Sequence, residues 1–367
     1  CLPNQRLTET TGQIISPQRL SESGINLVDK QFLSRSWDVH AERVLNCTDC
    51  HYSINNPIYY REDEDSRPEH LTFSPRRLDI SDYLKKPSHQ LARGASSYDH
   101  LELDQKDKMR RCESCHDAKK SHDWLPYQER HMQAMTCESC HIPKLYAPTR
   151  RVMDWTVITP QGEPRTECRG LRGPHDDPAT LVEGYEPVLL PRNELDGGVR
   201  LAPYNLITFW FWTHGEPERP VRLIDLKKAF FVDNQFKSEI IEKLDVDKDG
   251  VLSMSELVLD SVDKVDLMRG QIENLGLSNV KMKSEIQPYA IHHNVARGDW
   301  VARDCESCHT QDSRLTKAFL LADIPLAAEL PVLVTDANLS SGGKVLAKDG
   351  KLYYQENIQQ AGFYIIG

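Results

Sequence analysis

The sequence predicts a mainly α-helical and irregular fold, with a helix-loop-helix unit and a small β-hairpin region at the C-terminal end. Three features support this prediction: four short motifs of helical spacing, a twelve-residue acidic loop between two amphipathic segments, and a tail of alternating apolar and polar residues. Only 39% of the 367 residues are hydrophobic. The chain is therefore lean in core-forming side chains, and bound groups with apolar faces would complete its core.

The four motifs have the pattern C-x-x-C-H and contain eight of the ten cysteines. Their residues are Cys47, Cys50 and His51; Cys112, Cys115 and His116; Cys137, Cys140 and His141; and Cys305, Cys308 and His309. In a helical turn, positions i, i+3 and i+4 share a face, so both thiols can reach one porphyrin and the histidine can bind its iron. Zinc is the alternative, but zinc pairs do not require a histidine after each one. The motifs predict four covalent c-type haems and a haem-packed multihaem cytochrome c fold.

Ten further histidines could bind the opposite face of an iron, and one precedes every motif. The candidates for this distal ligand are His40, His100, His122, His131 and His293. His122 is the substitute for His100, and His292 competes with His293. A surface histidine is the alternative at each position. All-histidine ligation predicts low reduction potentials, because methionine as a ligand raises them.

An acidic loop of twelve residues matches the calcium-binding loop of an EF-hand at each diagnostic position. Its predicted ligands are Asp245, Asp247, Asp249, Val251 through its carbonyl, Ser253 and Glu256. Residues 235–244 and 257–269 show helical periodicity on either side. The alternative is an acidic turn without a metal. Because the sequence contains no second loop of this kind, we expect a structural Ca²⁺ and not a switch.

The positions of the motifs divide the chain into five segments. They are a three-haem domain (1–150), a haem-free β and loop segment (151–233), an EF-hand-like segment (234–285), a fourth-haem segment (286–325) and a β-hairpin tail (326–367). Within them we predict a hairpin around residues 160–162, a buried strand over 206–213 and a hairpin turn at 348–350.

The formal charge of −10 argues against nucleic acid as a partner. It favours redox partner proteins or copies of the chain itself. Since no apolar run of about 18 residues is present, membrane contact is expected only through a lipid on Cys1. The alternatives are an unmodified Cys1 or a Cys1–Cys168 disulfide, and Cys168 could instead be a free thiol near a haem. Covalent haem attachment predicts a periplasmic, extracellular or cell-surface location.

Part of the chain resembles the group of multihaem cytochromes that includes octahaem tetrathionate reductase and hydroxylamine oxidoreductase. The resemblance lies in the segment from His131 to Pro143, in the following Asp154 and Trp155, and in the His293–Val295 stretch ahead of the fourth motif. It implies a distal histidine upstream of a motif and a periplasmic or surface setting. The chain departs from this group in having four haem motifs instead of eight, and it lacks the C-x-x-C-K motif. The catalytic activity is therefore not implied.

Two functions follow from these expectations. The first is an electron carrier that relays electrons between its haems and to external partners, including as a subunit of an extracellular filament. The second is an oxidoreductase that acts on a small sulfur or nitrogen oxyanion at one open haem. The number of ligands on each iron distinguishes the two, and the ten spare histidines favour the carrier.

Overall fold

The computed structural model describes residues 14–45, 50, 111–174, 177–194, 196–323, 330–335 and 339–358. The prediction of a mainly α-helical fold is wrong, because strands are the longest elements. Among the described residues, the longest strand has 16 residues, whereas the longest helix has 12. The haem motifs contribute helices of only four or five residues, so they add little helix to the chain.

In the part of the chain that the structure describes, the strands form one large mixed sheet and three small antiparallel ones. In chain order they are β1 (Thr149–Ile158), β2 (Pro164–Arg169), β3 (Leu171–Arg172), β4 (Leu181–Val182), β5 (Val188–Asn193), β6 (Val199–His214), β7 (Arg219–Pro220), β8 (Phe231–Val232), β9 (Gln235–Phe236), β10 (Lys281–Ala290), β11 (Phe319–Asp323), β12 (Val332–Leu333), β13 (Lys344–Lys348) and β14 (Lys351–Gln355).

The large sheet has the order β12-β10-β6-β1-β2, and β5 and β7 also pair with β6. Strand β10 runs antiparallel to β6 over ten residue pairs, from Lys281 opposite Thr213 to Ala290 opposite Tyr204. Strand β1 runs parallel to β6 and antiparallel to β2. Strand β6 is therefore the centre of the sheet.

The helices are short and lie around this sheet. They are α1 (Val39–Glu42), α2 (Ala118–Ser121), α3 (Gln128–Ala134), α4 (Cys137–His141), α5 (Leu223–Phe230), α6 (Ser238–Leu244), α7 (Val262–Glu273) and α8 (Glu306–His309). Short 3-10 turns occur at Leu20–Glu22, Lys30–Phe32, Cys112–Ser114 and Gly298–Trp300. No helix in the described ranges has both the length and the apolar character needed to cross a membrane.

Both faces of β6 are buried, because alternate side chains of a strand point to opposite faces. Phe209 and Phe211 belong to one hydrophobic cluster, together with side chains of α5 and α7. Leu206 and Trp210 belong to a second cluster, which includes Tyr354 of the C-terminal sheet. The helices thus cover one face, and the sheet of β11, β14 and β13 covers the other.

The three local β predictions are confirmed. Strands β1 and β2 form the hairpin around residues 160–162, the segment 206–213 lies within buried β6, and β13 and β14 meet at the turn 348–350. The division into five segments stays a prediction.

The two helices predicted around the acidic loop begin later than the periodicity suggested. Residues Gln235 and Phe236 pair with β8 instead, across a tight turn in which Asp233 and Asn234 have positive φ. Helix α6 therefore starts at Ser238. Helix α7 starts at Val262, where the Ser261 hydroxyl accepts a hydrogen bond from the Lys264 backbone N–H and caps the first turn.

Candidate functional site

The described C-x-x-C-H motifs fold as single helical turns. The third motif is helix α4, the fourth forms α8 with Cys305 at its start, and the second is a 3-10 turn. The backbone N–H of His116 donates to the Cys112 carbonyl at 2.9 Å, and His309 donates to Cys305 at 2.9 Å. These bonds place the histidine and both cysteines on one side of the turn. In the first motif only Cys50 is described, so Cys47 and His51 lie outside the described residues, as does His100.

Each of the three described motif histidines faces a histidine from outside the motifs. The ring centroids of His40 and His116 are 6.2 Å apart, with planes inclined at 57°. Those of His122 and His141 are 6.0 Å apart at 82°, and the third pair, His131 and His309, has the same distance at 90°. Sequence spacing did not determine these pairs. His40 and His131 each face a motif other than the next one along the chain.

The spacing of these pairs fits an iron bound from both sides. A metal–imidazole bond is about 2 Å long, so two imidazoles on opposite faces of one metal have ring centres about 6 Å apart. Face-to-face stacking would bring the rings closer and make them parallel, whereas two of the pairs are nearly perpendicular, a geometry that edge-to-face contact also gives. The residues present therefore fit the haem that the motifs imply.

Hydrogen bonds at Nδ1 orient several of these rings. The Nδ1 atom of His122 lies 2.8 Å from the Ala118 carbonyl oxygen, and that of His131 lies 3.3 Å from the Tyr127 carbonyl oxygen. In the third motif, Nδ1 of His141 lies 3.1 Å from the Ala296 carbonyl oxygen. A partner at Nδ1 fixes the tautomer and leaves Nε2 for the metal. Burial lowers the pKa of His141, which favours the neutral form that binds metals.

Asp38 holds His40 in place and ties it to a distant segment. One carboxylate oxygen accepts from the His40 backbone N–H at 2.8 Å, and the other accepts from Asn294 and Val295 at 2.9 Å. Burial raises the pKa of Asp38, but the hydrogen bonds from His40 and Val295 outweigh it and lower the pKa to about 2. The segment that follows His293 thus lies beside helix α1, which leads toward the first motif.

The second, third and fourth motifs lie next to one another. The Sγ atom of Cys137 is 3.7 Å from the Glu113 carboxylate, and a side-chain hydrogen bond with Cys137 is the main reason that the pKa of Cys112 is raised. Burial raises the pKa of Cys140, and the nearby Cys308 thiol raises it further. The third motif therefore stands between the second and the fourth.

Helix α4 is anchored to the central sheet. The Thr136 backbone N–H donates to the Leu201 carbonyl of β6 at 2.9 Å, and the Ser139 hydroxyl donates to the same oxygen at 2.6 Å. Ser139 is fully buried. The sheet, which the sequence prediction underestimated, is thus the scaffold on which the third motif is fixed.

A buried charged network lies against the third motif and was not predicted. The Glu138 carboxylate is 3.3 Å from Nδ1 of His292 and 3.8 Å from the Arg192 guanidinium, which in turn lies 2.6 Å from Glu194. Burial raises the pKa of Glu138, but the hydrogen bond with His292 and the charge of Arg192 lower it well below its usual range. Residues so far apart in the chain carry no sequence signal of this contact.

The acidic loop brings three of its predicted ligands together. One carboxylate oxygen from each of Asp245, Asp247 and Asp249 lies within 4.8 Å of the others. Asp245 accepts hydrogen bonds from the Lys248 backbone N–H at 2.6 Å and from Gly250 at 2.8 Å. Gly250 has φ +83°, a conformation that favours glycine.

The other predicted ligands of this loop form a second group. The Glu256 carboxylate accepts from the Val246 backbone N–H at 2.7 Å and from the Ser253 N–H and hydroxyl at 2.9 and 2.7 Å. These bonds, those from Ser253 first, lower the pKa of Glu256 to about 2. Val251 donates its N–H to Asp249 at 2.7 Å, which leaves its carbonyl for a metal. Glu256 is therefore held as an anion at the end of the loop.

Cys168 forms a disulfide, so the hypothesis of a free thiol near a haem is wrong. Cys1 lies outside the described residues, and the Cys1–Cys168 pairing stays a prediction.

No protein-family model and no curated protein matches the chain. A solved structure, the octaheme cytochrome c from Shewanella oneidensis, matches it with a TM-score of 0.31 and 13% sequence identity. The match covers 55% of this chain and 49% of that one, so the chain spans about half the length of that structure. A TM-score of this size is too low to indicate a shared fold, and the likeness has no weight for the function.

Proposed function

We propose that the chain is a tetrahaem c-type cytochrome that relays electrons between its haems and to external redox partners. The observation that supports this most strongly is the set of three histidine pairs, His40 with His116, His122 with His141, and His131 with His309, at centroid distances of 6.0–6.2 Å. Each pair combines one motif histidine with one histidine from elsewhere in the chain. The bound haems would supply one-electron redox chemistry.

The two histidines of each pair would hold one haem iron between them at these three sites. A metal whose two axial positions are filled by rigidly held imidazoles has no position for a substrate, which favours a carrier over an enzyme. The rings are rigidly held because His122 and His131 are bonded through Nδ1 to carbonyls one turn earlier. The contact of Cys137 with Glu113 joins the third motif to the second, and the hydrogen bond from Arg314 to the Ser139 carbonyl joins it to the segment after the fourth. These contacts support a continuous path from the second motif through the third to the fourth.

The fourth site would be formed by the first motif, with His293 as its distal ligand. The hydrogen bonds of Asp38 to Asn294 and Val295 support this pairing, because they hold the 293–295 segment beside the chain that enters the first motif. His292, whose Nδ1 contacts Glu138, would orient this region.

We place the protein outside the cytoplasm, in the periplasm or at the cell surface, since covalent haem attachment is completed there. Its partners would be redox proteins or further copies of the chain, including in an extracellular filament, and a lipid on Cys1 would be its membrane anchor. The net charge of −10 favours basic partner surfaces.

We further propose that the loop from Asp245 to Glu256 binds one structural Ca²⁺. The clustered Asp245, Asp247 and Asp249 oxygens, together with the anionic Glu256, offer the hard oxygen ligands that this ion prefers.

The test of the carrier function is ligand binding by the purified native protein. Its intact mass and its haem absorbance should show four haems per chain, and its ferric spectrum should be low-spin throughout. We expect that the reduced protein does not bind carbon monoxide. A high-spin signal, or binding of carbon monoxide or nitrite by the native protein, would instead favour the oxidoreductase that acts on a small oxyanion.

A further inference from the structure

A cleft of about 690 Å³ is lined in part by residues that follow the third and fourth motifs in the chain. Its walls come from six separate parts of the chain: residues 28–33, 144–151, 169–172, 183–188 and 314–320, and Tyr353 of strand β14. Its volume lies in the range of small-molecule sites, which is about 300–1,000 Å³. None of the haem-pairing histidines lines it.

The cleft is positively charged, although the chain as a whole is acidic. Six lysines and arginines line it against three carboxylates, which leaves an excess of three positive charges. Two of the six are neutralised, because Arg151 pairs with Glu167 and Arg172 pairs with Glu183. In the described ranges, the other four have no carboxylate at ion-pair distance. They are Lys144, Arg169, Arg314 and Lys317.

The two arginines of this set are bonded only to neutral carbonyls. Arg169 donates to the Leu320 and Leu206 carbonyls at 2.9 and 2.8 Å and lies 4.1 Å from the Phe319 ring centre. Arg314 donates to the Ser139 carbonyl at 2.8 Å. The Nε atom of Arg169 and the Nε and Nη2 atoms of Arg314 are shielded from solvent and have no hydrogen-bond acceptor among the described residues.

Such cations are costly without an anion, because burial removes their hydration. Burial lowers the pKa of Arg169 to about 9, so this group still carries its charge at neutral pH. Burial also lowers the pKa of Arg314, although the nearby Glu186 carboxylate opposes the shift. A carboxylate is the natural partner of a guanidinium, since its two oxygens match the planar set of N–H donors.

We propose that the cleft binds a carboxylate group, with Arg169 and Arg314 providing fixed positive charge and Lys144 and Lys317 providing mobile ammonium donors. The rings of Tyr146, Phe319 and Tyr353 also line the cleft and suit an apolar or aromatic body attached to that carboxylate. The carboxylate has two sources. One is the propionate of a haem at the third or fourth motif. This source rests on the proposed function, and the hydrogen bond from Arg314 to the Ser139 carbonyl supports it. The other is a free organic acid from solution.

The experiment measures benzoate binding and reduction potentials on the purified native protein. Benzoate is titrated by calorimetry, with benzamide as the neutral control of the same shape. The variants are Arg314→Gln and Lys317→Gln, and Arg219→Gln is the matched control because it removes the same charge from an exposed arginine that does not line the cleft. The midpoint potentials of all four proteins are then measured without added ligand.

A free organic acid predicts that benzoate binds and benzamide does not. Loss of this fixed positive charge should then weaken benzoate binding by about tenfold or more in Arg314→Gln, whereas binding should be unchanged in Arg219→Gln. A haem propionate predicts no benzoate binding and a lower potential of one haem in Arg314→Gln, because loss of a positive charge favours the ferric state. If Arg314→Gln does not fold, Lys317→Gln takes its place in both measurements.

The proposal is overturned if benzoate does not bind and no variant changes a potential, or if all four proteins bind benzoate equally. Failure of the proposed function is a separate result. Purified protein without haem would reject the cytochrome, whereas the benzoate titration on that same protein would still decide whether the cleft binds a free carboxylate.

Discussion

The imidazole rings of His131 and His309 lie 6.0 Å apart and perpendicular to one another, although they come from opposite halves of the chain. His131 belongs to helix α3, which ends just before the third motif, whereas His309 closes the fourth. The pair therefore joins two segments that fold around the same sheet. Loss of one ring should expose one iron and leave the other sites intact.

The first prediction concerns this pair. The substitution His131→Ala should create one open axial position per chain, because the remaining ligand, His309, cannot bind both faces of an iron. We expect about one equivalent of carbon monoxide to bind the reduced variant and a high-spin signal to appear in its ferric form. Optical titration with carbon monoxide measures this. His214→Ala, at the end of β6, is the control and should bind none.

The second prediction concerns the acidic loop. Addition of Ca²⁺ should raise the melting temperature of the native protein, because an ion that binds only the folded state stabilises it by about 2.7 kcal/mol at a hundred times its dissociation constant. Asp249→Asn should abolish most of this rise. The control is Asp260→Asn, which removes an exposed carboxylate that lies outside the loop and pairs with Lys264. This variant should show the same rise in melting temperature with Ca²⁺ as the native protein. A melting temperature that does not respond to Ca²⁺ or to a chelator would reject the site.

The third prediction concerns the central strand. Phe209 is 1% exposed and belongs to the cluster between β6 and the covering helices. Phe209→Ala should lower the free energy of unfolding by about 3–5 kcal/mol, because it removes buried surface and leaves a cavity. Chemical unfolding measures the change. Val232→Ala, at a position that is 59% exposed, should change stability by less than about 0.5 kcal/mol. Equal effects of the two substitutions would contradict the buried position of β6.

Part of this architecture was predictable and part was not. Short turns of fixed spacing and the two hairpins have local signals, so the motif turns, the 160–162 turn and the 348–350 turn followed from the sequence. Strand β10 also carried a signal, since Met282, Ser284 and Ile286 alternate with more exposed residues. The predicted fold class rested on the four motifs and the acidic loop, which are local helical signals, whereas the large sheet depends on long-range pairing such as that of β10 with β6, which is why the predicted fold class was wrong.

The pairing of the histidines could not be predicted from the sequence, for a different reason. Candidates such as His40, His122 and His131 could be named from their positions near the motifs. Which motif each one faces depends on long-range packing, as in the contact of α4 with β6 through Ser139. The same holds for the contact of Glu138 with Arg192 and for the charged cleft.

The fourth prediction concerns pH. Burial raises the pKa of Asp154 above its ordinary value near 3.8, and this outweighs the opposing charge of Arg165 and the hydrogen bonds from Thr156. The folded state therefore binds this proton more tightly than the unfolded state, so stability should fall as pH rises from about 4 through the folded pKa. Asp154→Asn should remove that part of the pH dependence.

Urea unfolding of the native protein and of Asp154→Asn from pH 4 to 7 measures this difference. Glu163→Gln, an exposed carboxyl in the turn between β1 and β2, is the control and should leave the slope unchanged. A constant difference in unfolding free energy between the native protein and Asp154→Asn across this range would show that the buried carboxyl does not titrate as described.

Iron positions in the holoprotein decide whether the three histidine pairs hold haem. A holoprotein structure with iron located by its anomalous scattering should show one iron between His40 and His116, one between His122 and His141, and one between His131 and His309. In each case both imidazole nitrogens should lie about 2 Å from the metal. Irons bound to other residues, or an iron with only one of the two histidines as a ligand, would contradict the account.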